Sequence, residues 1–356
     1  MNILDDQKAM KKLDRSNMLG SIESVGLQCQ QAWSEVKKVK IPLTCRRVKN
    51  IVINGMGGSA LGGHVIAAIF HKQLRVPFHV INSYTLPGWV NRDTLYVLSS
   101  YSGTTEEVLA TFNEARRRHT KLLIICAGGQ LAKLAKKYKI PAYIFEPRFN
   151  PCNQPRMGLG YSIIGQVALL KQCGLLSITE NDFQCAVGAV HVWHKKFGAK
   201  TLLKKNPAKK LAVELAGRIP IIMAAEHLSG NAHILANQIN ENAKTFSAYY
   251  LLSELNHHLM EGLHFPRANR KMLHFVSLES SGYLPSMTKR FAITKKVLQK
   301  NGIKFFTYKT QGQTPLAEVM EALLFGSYAN YYLALANKLD PSPILFVDYF
   351  KAALKR

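Results

Sequence analysis

The sequence predicts an α/β protein made of two αβα sandwiches with mainly parallel sheets. Three observations carry that reading. Short β-branched runs alternate with apolar helical stretches as far as residue 145, the pattern of a helix-covered parallel sheet. A second series of the same kind begins at Pro220. The chain has 356 residues, which suits two domains better than one. The expected division is residues 1–180, with a leading helical segment, and residues 181–356.

In order, residues 1–40 are expected to be helical. Ser16 or Asn17 would cap a helix running through Ile22, Leu27 and Trp33. Strands are expected at Val48–Ile53, Phe78–Asn82, Thr94–Leu98, Leu122–Cys126 and Ala142–Phe145. Helices are expected between them, at His64–Phe70, Val108–Arg118 and Leu131–Tyr138. A proline-rich segment, Pro147–Pro155, precedes an apolar helix at Gly158–Cys173, and a linker is expected near Leu176–Asp182. A mostly polar helical stretch then runs to Lys210. The second half offers strands at Pro220–Ala224, Met272–Ser277 and Ile303–Tyr308, with helices at Met287–Lys300, about Leu316–Lys338 and Ile344–Leu354. In both halves a strand ends in a Gly/Ser turn that starts a helix.

Charge and cysteine usage narrow the setting. The net charge is +25, which favours an anionic partner: nucleic acid, a lipid surface or a phosphorylated small molecule. The lysine pairs, such as Lys136-Lys137 and Lys209-Lys210, are dispersed, with no basic tail and no nucleic-acid motif, so the surface reads as solvated. The six cysteines (Cys29, Cys45, Cys126, Cys152, Cys173, Cys185) form no C-x-x-C pair. Scattered thiols fit a reducing cytoplasm. No signal core or membrane-length apolar run stands out.

Two turns between a strand and a helix carry the binding chemistry. At Gly57-Gly58-Ser59 the glycines allow close backbone approach, and the amides of the following helix favour an anion. At Ser100-Tyr101-Ser102-Gly103-Thr104-Thr105 hydroxyls cluster ahead of another helix. Each turn alone reads equally well as a capped helix start. Together, at the carboxyl ends of strands in one sheet, they point to a phosphate held without a metal. Gly55-x-Gly57-x-x-Ala60 also matches a dinucleotide fingerprint, but no acid lies between Glu35 and Asp93 to hold a ribose, leaving only Arg75 for a NADP phosphate.

The acid–base candidates lie in Asn237–Gly262, which holds Glu241, Glu254, His257, His258 and Glu261. On one unbroken helix Glu241 and His257 would lie roughly 160° apart around the axis. To serve one site, either the helix breaks, for which Lys244–Ser247 is the candidate, or one residue comes from another chain. The histidines and Glu254 or Glu261 also raise a zinc site, but the spacing lacks H-E-x-x-H and shows Glu-x-x-His only once.

Gly55-Met56-Gly57-Gly58-Ser59 and Ser100-Tyr101-Ser102-Gly103-x-Thr105-Glu106-Glu107 resemble the sugar isomerase (SIS) domain. Pro155-Arg156-x-Gly158-Leu159-Gly160-Tyr161, Asn240-Glu241-Asn242-Ala243-Lys244 and Glu254-Leu255-Asn256-His257 narrow the likeness. With Leu13-Asp14-x-Ser16-Asn17-Met18 and Leu339-Asp340-Pro341-x-Pro343, they resemble the bifunctional phosphoglucose/phosphomannose isomerase family along nearly the whole chain.

The resemblance implies two SIS domains and a metal-free, cofactor-free aldose–ketose isomerase acting on glucose and mannose 6-phosphates through a cis-enediolate. It implies a homodimer. Ser59, Ser100, Ser102 and Thr105 would hold the sugar phosphate, with Gly58 and Arg156 near C1–C2. Glu241 would shuttle the proton, and His257 of the partner chain would assist ring opening. The chain departs from the family's pattern at Thr104, where Asn is usual, and at His258–Glu261. Ala329 falls where a threonine with a role in accepting both epimers is expected, and Lys338 is the nearest candidate for a C-terminal lysine. A sugar-phosphate sensor built on the same domains is the alternative, though no helix-turn-helix accompanies it.

Overall fold

The computed structural model describes residues 2–354; Met1, Lys355 and Arg356, at the ends of the two expected units, lie outside the described residues. The leading segment is not one helix. It forms α1 (Gln7–Leu13), α2 (Met18–Glu23) and α3 (Val25–Val36). Asn17 caps α2, its side chain accepting from the Gly20 amide, and adopts the left-handed conformation that asparagine tolerates. The helix breaks at Ser24. Ile22 and Trp33 are buried, while Leu27, about 120° from Trp33 around α3, is 45% exposed.

The first sheet comprises β1 (Asn50–Asn54), β2 (Phe78–Ile81), β3 (Thr94–Ser99), β4 (Lys121–Cys126) and β5 (Ala142–Ile144). All pairs are parallel, in the order β2-β1-β3-β4-β5. The helices are α4 (Gly58–Phe70), α5 (Glu106–Arg117), α6 (Gly129–Lys137) and α7 (Leu159–Gln172). Residue alternation sends Val52, Tyr96, Leu98 and Ile124 toward Val108, Phe112 and Leu131 of α5 and α6. Ile51, Ile53, Leu95 and Val97 face the other way, into a core that runs on into the second half of the chain.

The second half begins with α8 (Glu180–Phe197) and α9 (Pro207–Leu215). Thr179 and Asp182 form a reciprocal capping box at the start of α8, so the helix enters the expected linker. Next come β6 (Ile219–Ala224), α10 (Ser229–Asn242), β7 (Ala248–Leu251), α11 (Leu255–His258) and α12 (Asn269–Met272). The chain continues through β8 (Leu273–Glu279), α13 (Pro285–Lys300), β9 (Lys304–Lys309), α14 (Pro315–Ala336) and α15 (Leu345–Ala353). This sheet is also parallel, in the order β7-β6-β8-β9. β7 was not expected: its four residues are all half-buried, so neither alternation nor a continuous apolar run marks it. It follows immediately on Lys244–Ser247, where the break after α10 falls.

Both sheets have a switch point, between β1 and β3 and between β6 and β8, where neighbouring strands send their connections opposite ways and open a crevice. The helices that follow the first strand of each sheet, α4 and α10, pack on each other. Gly230 makes their crossing close, since a Cβ there would stand 2.8 Å from the Val65 Cα. Alanine is ordinarily better than glycine in a helix by about 1 kcal/mol, so the sign of one substitution tests this packing. Gly230→Ala is expected to lower stability by about 1–3 kcal/mol, read as a lower midpoint in chemical unfolding; an unchanged or raised midpoint contradicts the close crossing.

Candidate active site

The β1–α4 and β3–α5 turns sit side by side because β1 and β3 are paired, Asn54 opposite Leu98. In the first turn Gly57 takes φ 48°, ψ −129°, which only glycine adopts without strain. A Cβ at Gly58 would stand 2.9 Å from the Pro155 carbonyl oxygen and 3.1 Å from the Arg156 nitrogen. Glycine therefore lets the turn lie against the backbone that carries Arg156. The Ser59 hydroxyl accepts from the Tyr101 amide at 2.8 Å, and the Ser59 carbonyl accepts from Ser99 Oγ at 2.8 Å and Gln166 Nε2 at 3.0 Å. Ser59 thus braces one turn against the other.

In the second turn Ser100 and Thr105 share a hydroxyl hydrogen bond of 2.6 Å, and the Gly103 amide donates to Ser100 Oγ at 3.1 Å. Gly103 has φ 67°, and a Cβ there would overlap the Gly128 carbonyl oxygen. Ser100 is buried, Thr105 half-buried, and Ser102 and Thr104 are exposed. The Thr104 amide and hydroxyl both donate to Ser102 Oγ, at 3.2 and 3.0 Å. The exposed hydroxyls and the start of α5 form a polar rim suited to an anion.

Arg156 comes from a single 3-10 turn, Pro155–Met157, ahead of α7, and its side chain is 2% exposed. Its Nη2 donates to the carbonyls of Ser342 (2.7 Å) and Pro341 (3.3 Å). Its Nη1 donates to Gln154 Oε1 (2.7 Å) and to Glu241 Oε2 (3.3 Å), and its Nε to Asn242 Oδ1. Asn242 donates to Asn330 (2.7 Å), Asn330 to Gln238 (3.0 Å), and Gln238 back to the Arg156 carbonyl (3.0 Å). This closed ring of buried amides fixes the guanidinium between α10 and α14.

Glu241 is the penultimate residue of α10 and is half-buried. Burial pushes its carboxyl above the usual range, while Arg156, Lys351 and Lys244 pull the other way. Lys244, with φ 50°, donates to the carbonyls of Asn242, Asp340 and Pro341 at 2.8–3.0 Å. Burial and the Arg156 charge bring its ammonium down to about 8.

Two residues that sequence reasoning did not single out adjoin this group. Ser342 is buried and its hydroxyl has no hydrogen-bond partner, while its carbonyl holds Arg156. Lys351, on α15, lies close enough for its charge to act on Glu241. The Asp340-Pro341-x-Pro343 motif was the available signal for Ser342. Lys351 looks like one more basic residue in a basic chain. Lys338 instead lies just past the C-cap of α14 with φ 58°, and Ala329 is buried within α14.

His257 stands apart. It is exposed on α11, and no hydrogen bond or ion pair joins it to Glu241 or Arg156. Its neighbour Asn256 is tied instead to Thr294 (2.8 Å) and Arg290 (3.3 Å) of α13. Among the described residues no group of three His, Cys, Asp or Glu side chains could hold a metal ion, and no helix is long and apolar enough to cross a membrane. All six cysteines are free.

The matching crevice of the second half has different chemistry. At the ends of β6 and β8, Ser280 Oγ (2.6 Å) and His227 Nε2 both bond Glu318 Oε2. Burial alone would raise the Glu318 carboxyl, but the His227 and Ser280 hydrogen bonds outweigh it and hold it below its usual range. A buried carboxylate takes up the donors and repels a second anion. The second crevice is therefore less suited to an anion than the first.

Two family profiles match the chain: the SIS domain over residues 45–146, and the bacterial phospho-glucose isomerase C-terminal SIS domain over residues 204–354. The bifunctional phosphoglucose/phosphomannose isomerase of Caldicellulosiruptor bescii is 28% identical over 341 residues, 95% of this chain and 98% of that protein. The enzyme of the same name from Aquifex aeolicus is 29% identical over 334 residues, covering 93% and 97%. In fold, a hypothetical protein from Thermus thermophilus superposes with a TM-score of 0.76 at 14% identity, over 98% of this chain and 93% of that one. Fold and crevice together define a tandem SIS-domain protein. Within that class, the chain is similar along nearly its whole length to the bifunctional phosphoglucose/phosphomannose isomerases.

A lysine at 156 could not satisfy the planar set of acceptors now bound by the guanidinium. Arg156→Lys is expected to cost about 3 kcal/mol of stability, seen as a lower denaturation midpoint; a midpoint within error of the parent contradicts the part given to Arg156 in joining α10, α14 and the Pro341–Ser342 segment.

Proposed function

We propose that this protein is a metal-independent aldose–ketose isomerase that interconverts glucose 6-phosphate, and mannose 6-phosphate, with fructose 6-phosphate. The observation that carries the reading is the pairing of Glu241 with the buried Arg156, whose backbone lies against the Gly57–Ser59 turn. A proton-transfer group and an oxyanion donor thus sit at one end of a cleft whose other end suits a phosphate.

In this reading Ser59, Ser100, Ser102 and Thr105 bind the phosphate, with Gly58 giving close backbone approach. Phosphate binding far from the reacting carbons supplies energy for positioning. Glu241 takes the proton from C2 and returns it to C1. The cis-enediolate between those steps carries negative charge on oxygen, which Arg156 stabilises. All its guanidinium N–H groups are engaged, and the 3.3 Å bond to Glu241 is among the longest. A substrate oxygen takes that donor and releases the carboxylate to act as base. His257 assists ring opening from a second copy of the chain, in keeping with its exposure on α11. The working form is a homodimer in the cytoplasm, with its domains divided near residue 180.

Glu241→Gln is expected to lower kcat by at least about 10^3-fold while leaving sugar-phosphate affinity within a few-fold; turnover near the parent's removes Glu241 from its role, and binding without turnover in the parent itself favours a sensor. Because the Glu241 carboxyl is raised, its base form fills only as pH climbs through that higher value. The rise of kcat/KM should therefore come above the pH of an ordinary glutamate titration. Ser102→Ala with Thr105→Ala should raise KM about tenfold or more, and an unchanged KM relocates the phosphate.

A further inference from the structure

The first sheet ends at β5, whose outer edge is free. Strand order places β5 beside β4 alone. The Pro141 carbonyl accepts from the Ile124 amide at 3.1 Å, and the Phe145 amide donates to the Cys126 carbonyl at 3.0 Å. Backbone groups alternate sides along a strand, so those of Tyr143 also turn to β4, while the N–H and C=O of Ala142 and Ile144 turn away from it. No hydrogen bond from another described residue reaches those outward groups.

A cavity opens on each face of this strand. Toward α6, one of about 530 Å³ has an apolar floor of Ala132, Ala135, Ile140 and Ile144, with Lys133 and Lys136 beside it. Toward the end of α3, one of about 410 Å³ is lined by Glu35, Val39 and Tyr143, with Lys38 and Lys40. Ile144 borders both and is 49% exposed. The four lysines are exposed and form no ion pair among the described residues. Glu35 is the one carboxylate lining either cavity, and it already accepts from Gln31 Nε2 at 3.0 Å.

We propose that the outer edge of β5 is a docking site for a short, extended, acidic segment of another protein, which adds to the first sheet as a strand and sends alternate side chains into the two cavities. The inference does not rest on the isomerase reading.

Three arguments select that partner. The first is the edge itself. Unpaired N–H and C=O groups are a template for an added strand, and a large apolar residue left open among them is a liability unless something covers it. In strand addition the main chain supplies affinity, and pockets for alternate side chains supply selectivity. Successive side chains of a strand point to opposite faces, so one added strand reaches both cavities. β5 has three residues, so the partner segment is short, about three to five residues at roughly 3.3 Å each.

The second argument is charge. Lysines along an edge bar pairing with strands of like charge. A second copy of this chain, at +25, presents the same lysines and is repelled. A strand bearing carboxylates is attracted by them. The third argument excludes nucleic acid. Single strands bind by stacking bases on open aromatic faces, and the one aromatic residue in either cavity, Tyr143, is 2% exposed.

The test uses the full chain and a fluorescein-labelled peptide, Glu-Val-Asp-Val-Glu-Val-Asp, followed by anisotropy at low salt. Its valines would enter the apolar cavity beside α6 and its acids would meet Lys38 and Lys40. Submillimolar binding is expected, with amide exchange at Ala142 and Ile144 slowed at least tenfold in the complex. The same peptide N-methylated at alternate residues, which lacks the donors for one edge, should bind at least tenfold more weakly. Lys40→Glu with Lys136→Glu, one change at each cavity, should weaken binding at least tenfold, and so should Ile144→Pro, which removes an outward N–H and leaves the pairing with β4. If Ile144→Pro does not fold, the exposed lysine variant and the exchange measurement decide. No binding at millimolar peptide, an N-methylated peptide as tight as the unmodified one, or unchanged exchange at Ala142 and Ile144 overturns strand addition. Parental binding by the lysine variant, or equal binding of a peptide with lysine in place of each acid, overturns the acidic partner. Tighter binding of a short oligothymidylate, lost in the same lysine variant, overturns the peptide in favour of nucleic acid.

Discussion

The buried Arg156 guanidinium is the interaction on which the site depends. Desolvating a guanidinium is costly unless every N–H is met. Here its bonds reach Gln154, Glu241, Asn242, Pro341 and Ser342. Those partners belong to a short turn before α7, the end of α10 and the approach to α15. One cation therefore joins three segments far apart in the sequence, and misplacement of any leaves a buried donor unmet. The Asn242–Asn330–Gln238 ring adds α14 to the same constraint.

That constraint also governs Glu241. A carboxyl at the end of a helix, half-buried, would by itself hold its proton to higher pH. Positive neighbours on three segments, Arg156, Lys351 and Lys244, offset part of the burial. The opposing effects leave a carboxyl raised in pKa yet paired with a cation, a state in keeping with the proton transfer proposed for it. Glu318 in the second half has the contrary environment, with donors dedicated to holding it ionised. The two crevices share a topology and differ in charge, so the second is the less suited to an anion.

Strand–helix alternation, the two glycine–hydroxyl turns and the acidic–histidine segment were all legible from local sequence. Each is set by nearest-neighbour physics: backbone freedom at Gly57 and Gly103, apolar periodicity in the strands, and a break after Asn242 that separates Glu241 from His257. Tertiary structure alone decided β7, whose half-buried residues carry no period, and the break at Ser24 inside an apparently continuous helix. It also decided the neighbours of Glu241. Ser342 and Lys351 lie 101 and 110 positions away in the chain; the Asp340-Pro341-x-Pro343 motif points to the first, and no pattern marks the second. Their nearness follows from a buried cation whose acceptors must be gathered from wherever the chain can supply them, a requirement that exists only once the chain is folded.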